Sequence, residues 1–243
     1  MSAVRLSCVV TAHGEGAFVA VAARSVERAM AFARHAGTPG EMERLLVLDR
    51  PDAATGRIGR DLAAAGWRVE RIEGGEPAAS RRHGADIARG EHVAFLDGDD
   101  LWGEEWLARA LAEAGRPGAD RAFLHAEFNL VFGGQEALIR LGPDAALGYR
   151  PAYQRVANYW DAMCLCRRDL YLEHPMRAAR RDAGYAHEDQ AWALRSLELG
   201  LEHRIVPGTI HFKRRRLGSV SVEAERDWLR MHPAPRPVPR DTP

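Results

Sequence analysis

The densest chemistry in this 243-residue chain lies at Asp97-Gly98-Asp99-Asp100, directly after the apolar run Val93-Ala94-Phe95-Leu96. Three carboxylates within four residues repel one another unless a cation sits among them. Oxygen ligands of this kind suit Mg²⁺ or Mn²⁺, which keep part of their water and complete their coordination with substrate phosphates. A second acidic pair, Glu188-Asp189, opens a stretch of helical periodicity. A basic run, Lys213-Arg214-Arg215-Arg216, leads into Leu217-Gly218-Ser219 and has the character of a loop that closes on an anion. Each group also has a plainer reading. Asp100 can cap a following helix, the acidic pair can simply complement a helix dipole, and the basic run can be solvated surface.

The elements that must position these groups follow from periodicity. Residues 4–11, 45–49, 67–72 and 91–96 read as short strands, and 18–36, 55–65 and 78–88 as helices between them. A β–α–β–α order of this kind predicts a parallel, doubly wound sheet with helices on both faces and a ligand beyond the carboxyl ends of its strands. Three of those ends are polar: Thr11-Ala12-His13, Asp49-Arg50-Pro51-Asp52 and Asp97-Gly98-Asp99-Asp100.

The second half reads differently. Residues 122–132 and 137–141 form a hairpin pattern, 161–166 a strand, 168–173 a helical turn and 188–199 a helix with Ala191, Leu194, Leu197 and Leu201 on one face. Residues 204–206 and 209–213 read as two short strands. From His232 onward there are five prolines in twelve residues, a composition expected of a disordered tail. Residues 1–231 are expected to fold as one domain.

Composition narrows the class. Lys+Arg and Asp+Glu both number 34, so no global field draws the chain to nucleic acid or an anionic membrane. No run approaches the roughly 18 apolar residues of a membrane span. Cys8, Cys164 and Cys166 are too few for a zinc site and read as buried thiols of a reducing compartment, so a cytoplasmic location is expected. Peripheral docking at the inner face of the membrane would need no such span.

The stretch Ser80-Arg81-Arg82-His83-Gly84 through Gly90-Glu91-His92 to Asp97-Gly98-Asp99-Asp100 resembles the inverting family 2 glycosyltransferases, whose pattern is Ala-Arg-Asn-x-Gly, a helix, Gly-Glu-Tyr, an apolar strand and Asp-x-Asp. The likeness continues at Val9-Val10-Thr11-Ala12-His13, at Leu46-Val47-Leu48-Asp49, at Gly184-Tyr185-Ala186-His187-Glu188-Asp189 and at the basic loop ending in Ser219-Val220-Ser221. It implies a GT-A type fold, a Rossmann-like mixed sheet with a parallel core. A donor half over about 1–103 and an acceptor half over about 104–222 go with it.

The resemblance also implies roles. Thr11, Ala12 and His13 hold the nucleobase, Asp49 the base or ribose, and Arg81 the diphosphate or sugar. Asp97 and Gly98 lie at the donor, and Asp99 with Asp97 holds Mn²⁺ or Mg²⁺. His211 is a further candidate metal ligand, as some related folds recruit a histidine there; a lone His between Ile210 and Phe212 is more often structural. Asp189 is the expected base and Glu188 the residue that orients the acceptor. Trp102 is placed to stack on a sugar, and Trp160 belongs to the core. The implied partners are a UDP- or GDP-sugar and a carbohydrate, lipid-linked or small-molecule acceptor. Arg50 and Arg82 depart from the pattern on the donor side, and they leave room for a non-catalytic nucleotide-sugar binding protein. A sugar nucleotidyltransferase would need a basic loop where this chain has His13-Gly14-Glu15-Gly16.

Overall fold

The computed structural model describes residues 4–134, 136–142, 151–156, 158–178, 185–215 and 230–231. Gly184, Arg216, the Ser219-Val220-Ser221 motif and the Pro-rich stretch 232–243 lie outside the described residues. The first half is the expected alternation: β1 (Val4–Ala12), α1 (Phe18–His35), β2 (Glu41–Asp49), α2 (Ala53–Ala64), β3 (Arg68–Ile72), α3 (Pro77–Ile87) and β4 (His92–Asp97). All four strands are parallel, in the order β3-β2-β1-β4. The order reverses between β1 and β4, and a crevice opens at such a switch point beyond the strand ends. Thr11 and Asp97 are register partners at its lip.

The remaining elements are β5 (Leu101–Trp102), α4 (Trp106–Ala114), β6 (Ala122–Phe132), β7 (Ala137–Arg140), β8 (Leu165–Arg167), α5 (Arg168–Glu173), β9 (Tyr185–Ala186), α6 (Glu188–Glu198), β10 (Glu202–Arg214) and β11 (Arg230–Met231). The main sheet continues from β4 through β8, β6 and β10 to β5, with β7 paired to β6, while β9 and β11 form a separate small pair. β8 is antiparallel to β4 and β6, and β10 is parallel to β6. The sheet is mixed around a parallel core.

Strands covered on both faces need apolar residues at every position, and strand period 2 deals them alternately to two cores. Leu6, Cys8, Val10, Leu46, Leu48, Ala94 and Leu96 meet α1 and α4. Val9, Leu45, Val47, Val93 and Phe95 meet α3, α5 and α6. All three cysteines are free and buried in these cores. Helix α3 lies close to β1 because Gly84 faces it: a Cβ there would stand 2.5 Å from Val9 Cγ1. Gly84→Ala is therefore expected to overpack this contact at a cost of about 1–3 kcal/mol and lower the melting temperature by several degrees. An unchanged thermal melt would show that the helix can lift off without cost.

Four local expectations are corrected by the structure. Asp100 does not cap a helix; Leu101–Trp102 forms an edge strand on β10, pairing Trp102 with His211, and α4 begins only at Trp106. The strand expected from residue 161 starts at Leu165, because the Asp161 carboxylate turns back to accept the Met163 N–H at 3.0 Å. The two strands expected over 204–213 are one, β10, whose register on β6 shifts between Val206 and Ile210. This bulge is closed by Thr209, whose hydroxyl donates to the Val206 carbonyl and accepts the Glu127 N–H. Helix α6 buries Leu194, with Leu201 just beyond it, as expected, but it also buries Trp192, Ala193 and Ser196 and leaves Ala191 and Leu197 half-buried. Trp192 sets that rotation by packing edge-on against Phe123 and donating to the His174 carbonyl.

Candidate active site

The groups expected at the donor lie at the strand ends around the switch point. His13 leaves β1 and sets its Nδ1 2.5 Å from the Asp49 carbonyl, which ties the first strand end to the second. The Asp49 side chain is buried and accepts three bonds, from the Gly75 N–H at 2.8 Å, the Glu76 N–H at 3.1 Å and the Ser80 hydroxyl at 3.2 Å. It thereby fixes the loop that enters α3. Gly98 is pressed onto β1: its N–H donates to the Thr11 carbonyl at 2.8 Å, and a Cβ would stand 2.9 Å from Ala12 Cβ. Thr11, Ala12, Asp49, Asp97 and Gly98 thus stand together at the ends of β1, β2 and β4, with Asp49 buried and turned into the loop before α3.

Each carboxylate of the acidic motif faces a cation from the chain itself. Asp97 pairs with Arg81, which is buried, and also accepts from Thr11 Oγ1 at 3.4 Å. Burial works against the Arg81 charge, yet Asp97, with Tyr171 and Glu188 beyond it, holds its pKa above the usual arginine value. Asp99 Oδ2 lies 3.7 Å from Arg214 Nη1. Asp100 is turned inward, accepts the Arg214 N–H at 2.7 Å and sits 3.9 Å from Lys213 Nζ. Burial raises the Asp100 pKa well above the carboxylate range, with Lys213 opposing and Asp97 and Asp99 adding to the rise.

Asp97 and Asp99 are the partly open members of the motif, with side-chain exposures of 31% and 18%. The Arg214 guanidinium that faces Asp99 lies 3.5 Å over the Phe18 ring, and its Nη1 is buried without a hydrogen-bond partner. A guanidinium that turns an Nη1 without a hydrogen bond toward a carboxylate marks a place that accepts positive charge. Two such carboxylates fit Mg²⁺ or Mn²⁺ ligation completed by phosphate oxygens and water. His211 is placed elsewhere, fully buried with its ring edge-on to Trp106 at 4.7 Å. No three His, Cys, Asp or Glu side chains among the described residues gather as a metal group. Trp102 and Trp160 are both buried, so the structure places Trp102 in the core rather than over the crevice.

Glu188 and Asp189, expected at the acceptor, form the first turn of α6, where the helix dipole favours anions. The residue before them, His187, is left-handed at φ 60°, and Arg50 at the end of β2 is left-handed at φ 46°. These are the only non-glycine residues with positive φ among the described residues, and both flank the site, where backbone strain concentrates. Burial and then Asp189 push the Glu188 pKa up, with Arg81 opposing. Lys213 Nζ lies between Asp100 at 3.9 Å and Asp161 at 3.4 Å. Burial would lower its pKa, but Asp161, Asp100, Asp97 and Asp189 hold it high.

Sequence reasoning missed the layer beneath this site. Asp161 accepts from Asn129 Nδ2 at 2.7 Å and stands 3.4 Å from Lys213 Nζ. Burial alone would raise its pKa, but Lys213, His211 and His125 hold it at about 2. His125 Nε2 meets His203 Nδ1 at 2.9 Å, and His203 Nε2 meets Ser196 Oγ at 2.6 Å. No sequence signal joins these residues: His125 and His203 lie 78 residues apart, and Asp161 and Lys213 52.

Residues 7–174 match the family described as Glycosyl transferase family 2. The chain belongs to that family. Among solved structures it is similar to S. aureus TarS 1–349 in complex with UDP-GlcNAc, at 16% identity and TM-score 0.65, covering 88% of this chain and 60% of that one. It is also similar to the UDP complex of TarS 1–349, at 18% identity and TM-score 0.61, covering 87% and 60%. GalNAc-T7 with UDP, GalNAc and Mn²⁺ matches at 15% identity and TM-score 0.61, covering 88% and 44%. The chain therefore spans less than two thirds of the length of these neighbours. The shared fold is the GT-A type mixed sheet expected of the family. No curated protein matches in sequence. Among the described residues no helix is long and apolar enough to cross a membrane.

Proposed function

We propose that the chain is an inverting glycosyltransferase that moves a sugar from a nucleoside-diphosphate sugar to an acceptor hydroxyl. The observation that carries this reading is the acidic motif set among cations at the strand ends: Asp97 pairs with the buried Arg81, Asp99 lies 3.7 Å from Arg214 and Asp100 3.9 Å from Lys213. A donor entering the crevice meets the backbone of Thr11, Ala12 and His13 at its base, with the loop held by Asp49 as the wall beside its ribose. Asp97, Gly98 and Arg81 face the diphosphate end, since a guanidinium fork suits phosphate oxygens.

Asp99, with Asp97, would hold Mn²⁺ or Mg²⁺, which when bound supplies charge to the departing diphosphate. In the transfer, a bond forms between the acceptor oxygen and C1 while the C1–O bond to phosphate breaks. The electron pair leaves with the diphosphate, and the acceptor proton passes to Asp189. Glu188 orients the acceptor. Residues 1–103 serve the donor and 104–222 the acceptor, within one domain over 1–231. UDP- and GDP-sugars are the donor candidates; the acceptor is a carbohydrate, a lipid-linked sugar or a small molecule.

Calorimetric titration of UDP and GDP, each with Mn²⁺ and with EDTA, tests the donor site. One nucleotide is expected to bind with metal present and to lose about 100-fold or more in affinity in EDTA, the scale of about 3 kcal/mol for a lost charge partner at phosphate. Silence from both nucleotides under both conditions would sink the donor reading and bring a non-catalytic role forward.

A further inference from the structure

Asp189 does not stand alone on its helix. Its Oδ1 accepts the N–H of Gln190 at 2.8 Å, and its Oδ2 accepts from Asn158 Nδ2 at 2.9 Å. Asn158 belongs to a strap that crosses α6 and grips it at two further points. Gln190 Nε2 donates to the Gln154 carbonyl at 2.8 Å, and Arg155 pairs with Glu198 at 2.5 Å.

The direction of the Asn158 amide is fixed by a chain of donors that starts at the backbone. The Tyr159 N–H can only donate, and it donates to Gln154 Oε1 at 3.3 Å. The Gln154 amide must then present Nε2, which donates to Asn158 Oδ1 at 3.0 Å. Asn158 is left with its NH₂ toward Asp189, the polarity an ionised carboxylate needs. Gln154 is completely buried, so the chain is anchored in the core although Asn158 itself is exposed.

We infer that Asn158 is the positioning residue for Asp189, holding the carboxylate in one rotamer so that its remaining lone pairs face the acceptor hydroxyl. The inference rests on the reading of Asp189 as the base. Helical Asp rotates about two side-chain bonds, and a misplacement of about 1 Å at a reacting group costs up to 100-fold in rate. The strap therefore sets the base, while nucleotide binding at the strand ends is independent of it.

The test uses the full chain and the fastest donor in a panel of UDP- and GDP-hexoses, read as nucleotide release to water. Asn158→Ala is expected to lower kcat by about 10- to 100-fold, with nucleotide affinity and melting temperature unchanged. Asn158→Asp, which puts a like charge where the donor was, is expected to lower it further. In an Asp189→Asn background, Asn158→Ala should add nothing, because the group it positions is gone. A kcat within twofold of the parent for Asn158→Ala would overturn the proposal. So would a parallel fall in nucleotide affinity, which would make the strap a general structural support. Near-normal turnover by Asp189→Asn alone would overturn the base assignment itself, and this proposal with it.

Discussion

Asp189→Asn is expected to reduce turnover by about two to four orders of magnitude while leaving nucleotide binding intact. The substitution keeps the size of the side chain and its place in the first turn of α6; its Oδ1 can still accept the Gln190 N–H, and only the contact with the Asn158 amide is lost, because an NH₂ replaces the oxygen that accepted it. What it removes is the lone pair that takes the acceptor proton. Asp189 stands on α6, a different element from the strand ends that carry Thr11, Asp49 and Asp97, so binding of UDP or GDP should be unaffected. The comparison is between nucleotide release from the best hexose donor and the calorimetric affinity for the free nucleotide. Turnover within tenfold of the parent would move the base assignment to Glu188. The raised pKa of that carboxyl, caused by burial and by Asp189, would then be the relevant feature.

The second large effect is on acid stability. His125 and His211 are fully buried, and burial lowers their pKa values to about 4 and about 3. His203, stacked on His125, is pushed well below its usual value by burial and by the His125 charge. In the unfolded chain all three titrate near 6.5. Above that pH neither state carries the protons and the histidines are neutral in effect. As pH falls below it the unfolded chain takes up protons that the native core refuses, so stability declines toward the folded-state values. The loss is about 1.4 kcal/mol per pH unit for each histidine, or roughly 3 kcal/mol each for His125 and His211 by pH 4. Asp100 works the other way, since its raised pKa makes the native state the better proton acceptor. Asp161, held at about 2, adds its own loss only below pH 4.

Urea unfolding at pH 7, 6, 5 and 4 reads this directly. His211 provides the control, because both its ring nitrogens are buried without a hydrogen-bond partner. Replacing an unsatisfied polar ring by an apolar one of similar shape is neutral or stabilising. His211→Phe is therefore expected to match or exceed the parent at pH 7 and to flatten the acid slope by about 1.4 kcal/mol per unit. A flat profile for the parent would show that the histidines reach solvent. Loss of Mn²⁺-dependent nucleotide binding in His211→Phe would restore the histidine to the metal.

How much of this was legible in the sequence differs from element to element. The helices of the first half are found within two residues of their expected ends, because capping and breaking are local. Asp52 caps α2 by accepting the Thr55 N–H, and Pro77 opens α3. The second half was less legible where one long-range contact overrode local preference. Leu101–Trp102 is a strand only because the end of β10 passes beside it, and α6 is rotated by the single large side chain of Trp192. Asn158 sits in a stretch with no periodicity, and its role depends on a buried glutamine four residues back.

The sequence by itself determined the parallel β–α order, the polar strand ends Thr11, Asp49 and Asp97, and the acidic first turn of α6. Apolar period and motif spacing are properties of neighbouring residues, and they survive without knowledge of the fold. Only the tertiary structure decided how the charges are shared. Asp100 is spent on the end of β10, 114 residues away, and Lys213 on Asp161, 52 residues away, while Arg81 takes Asp97 and Arg214 takes Asp99. Which cation meets which carboxylate follows from the register of strands brought together across the sheet. That register is set by cooperative burial of both cores, and no local spacing records it.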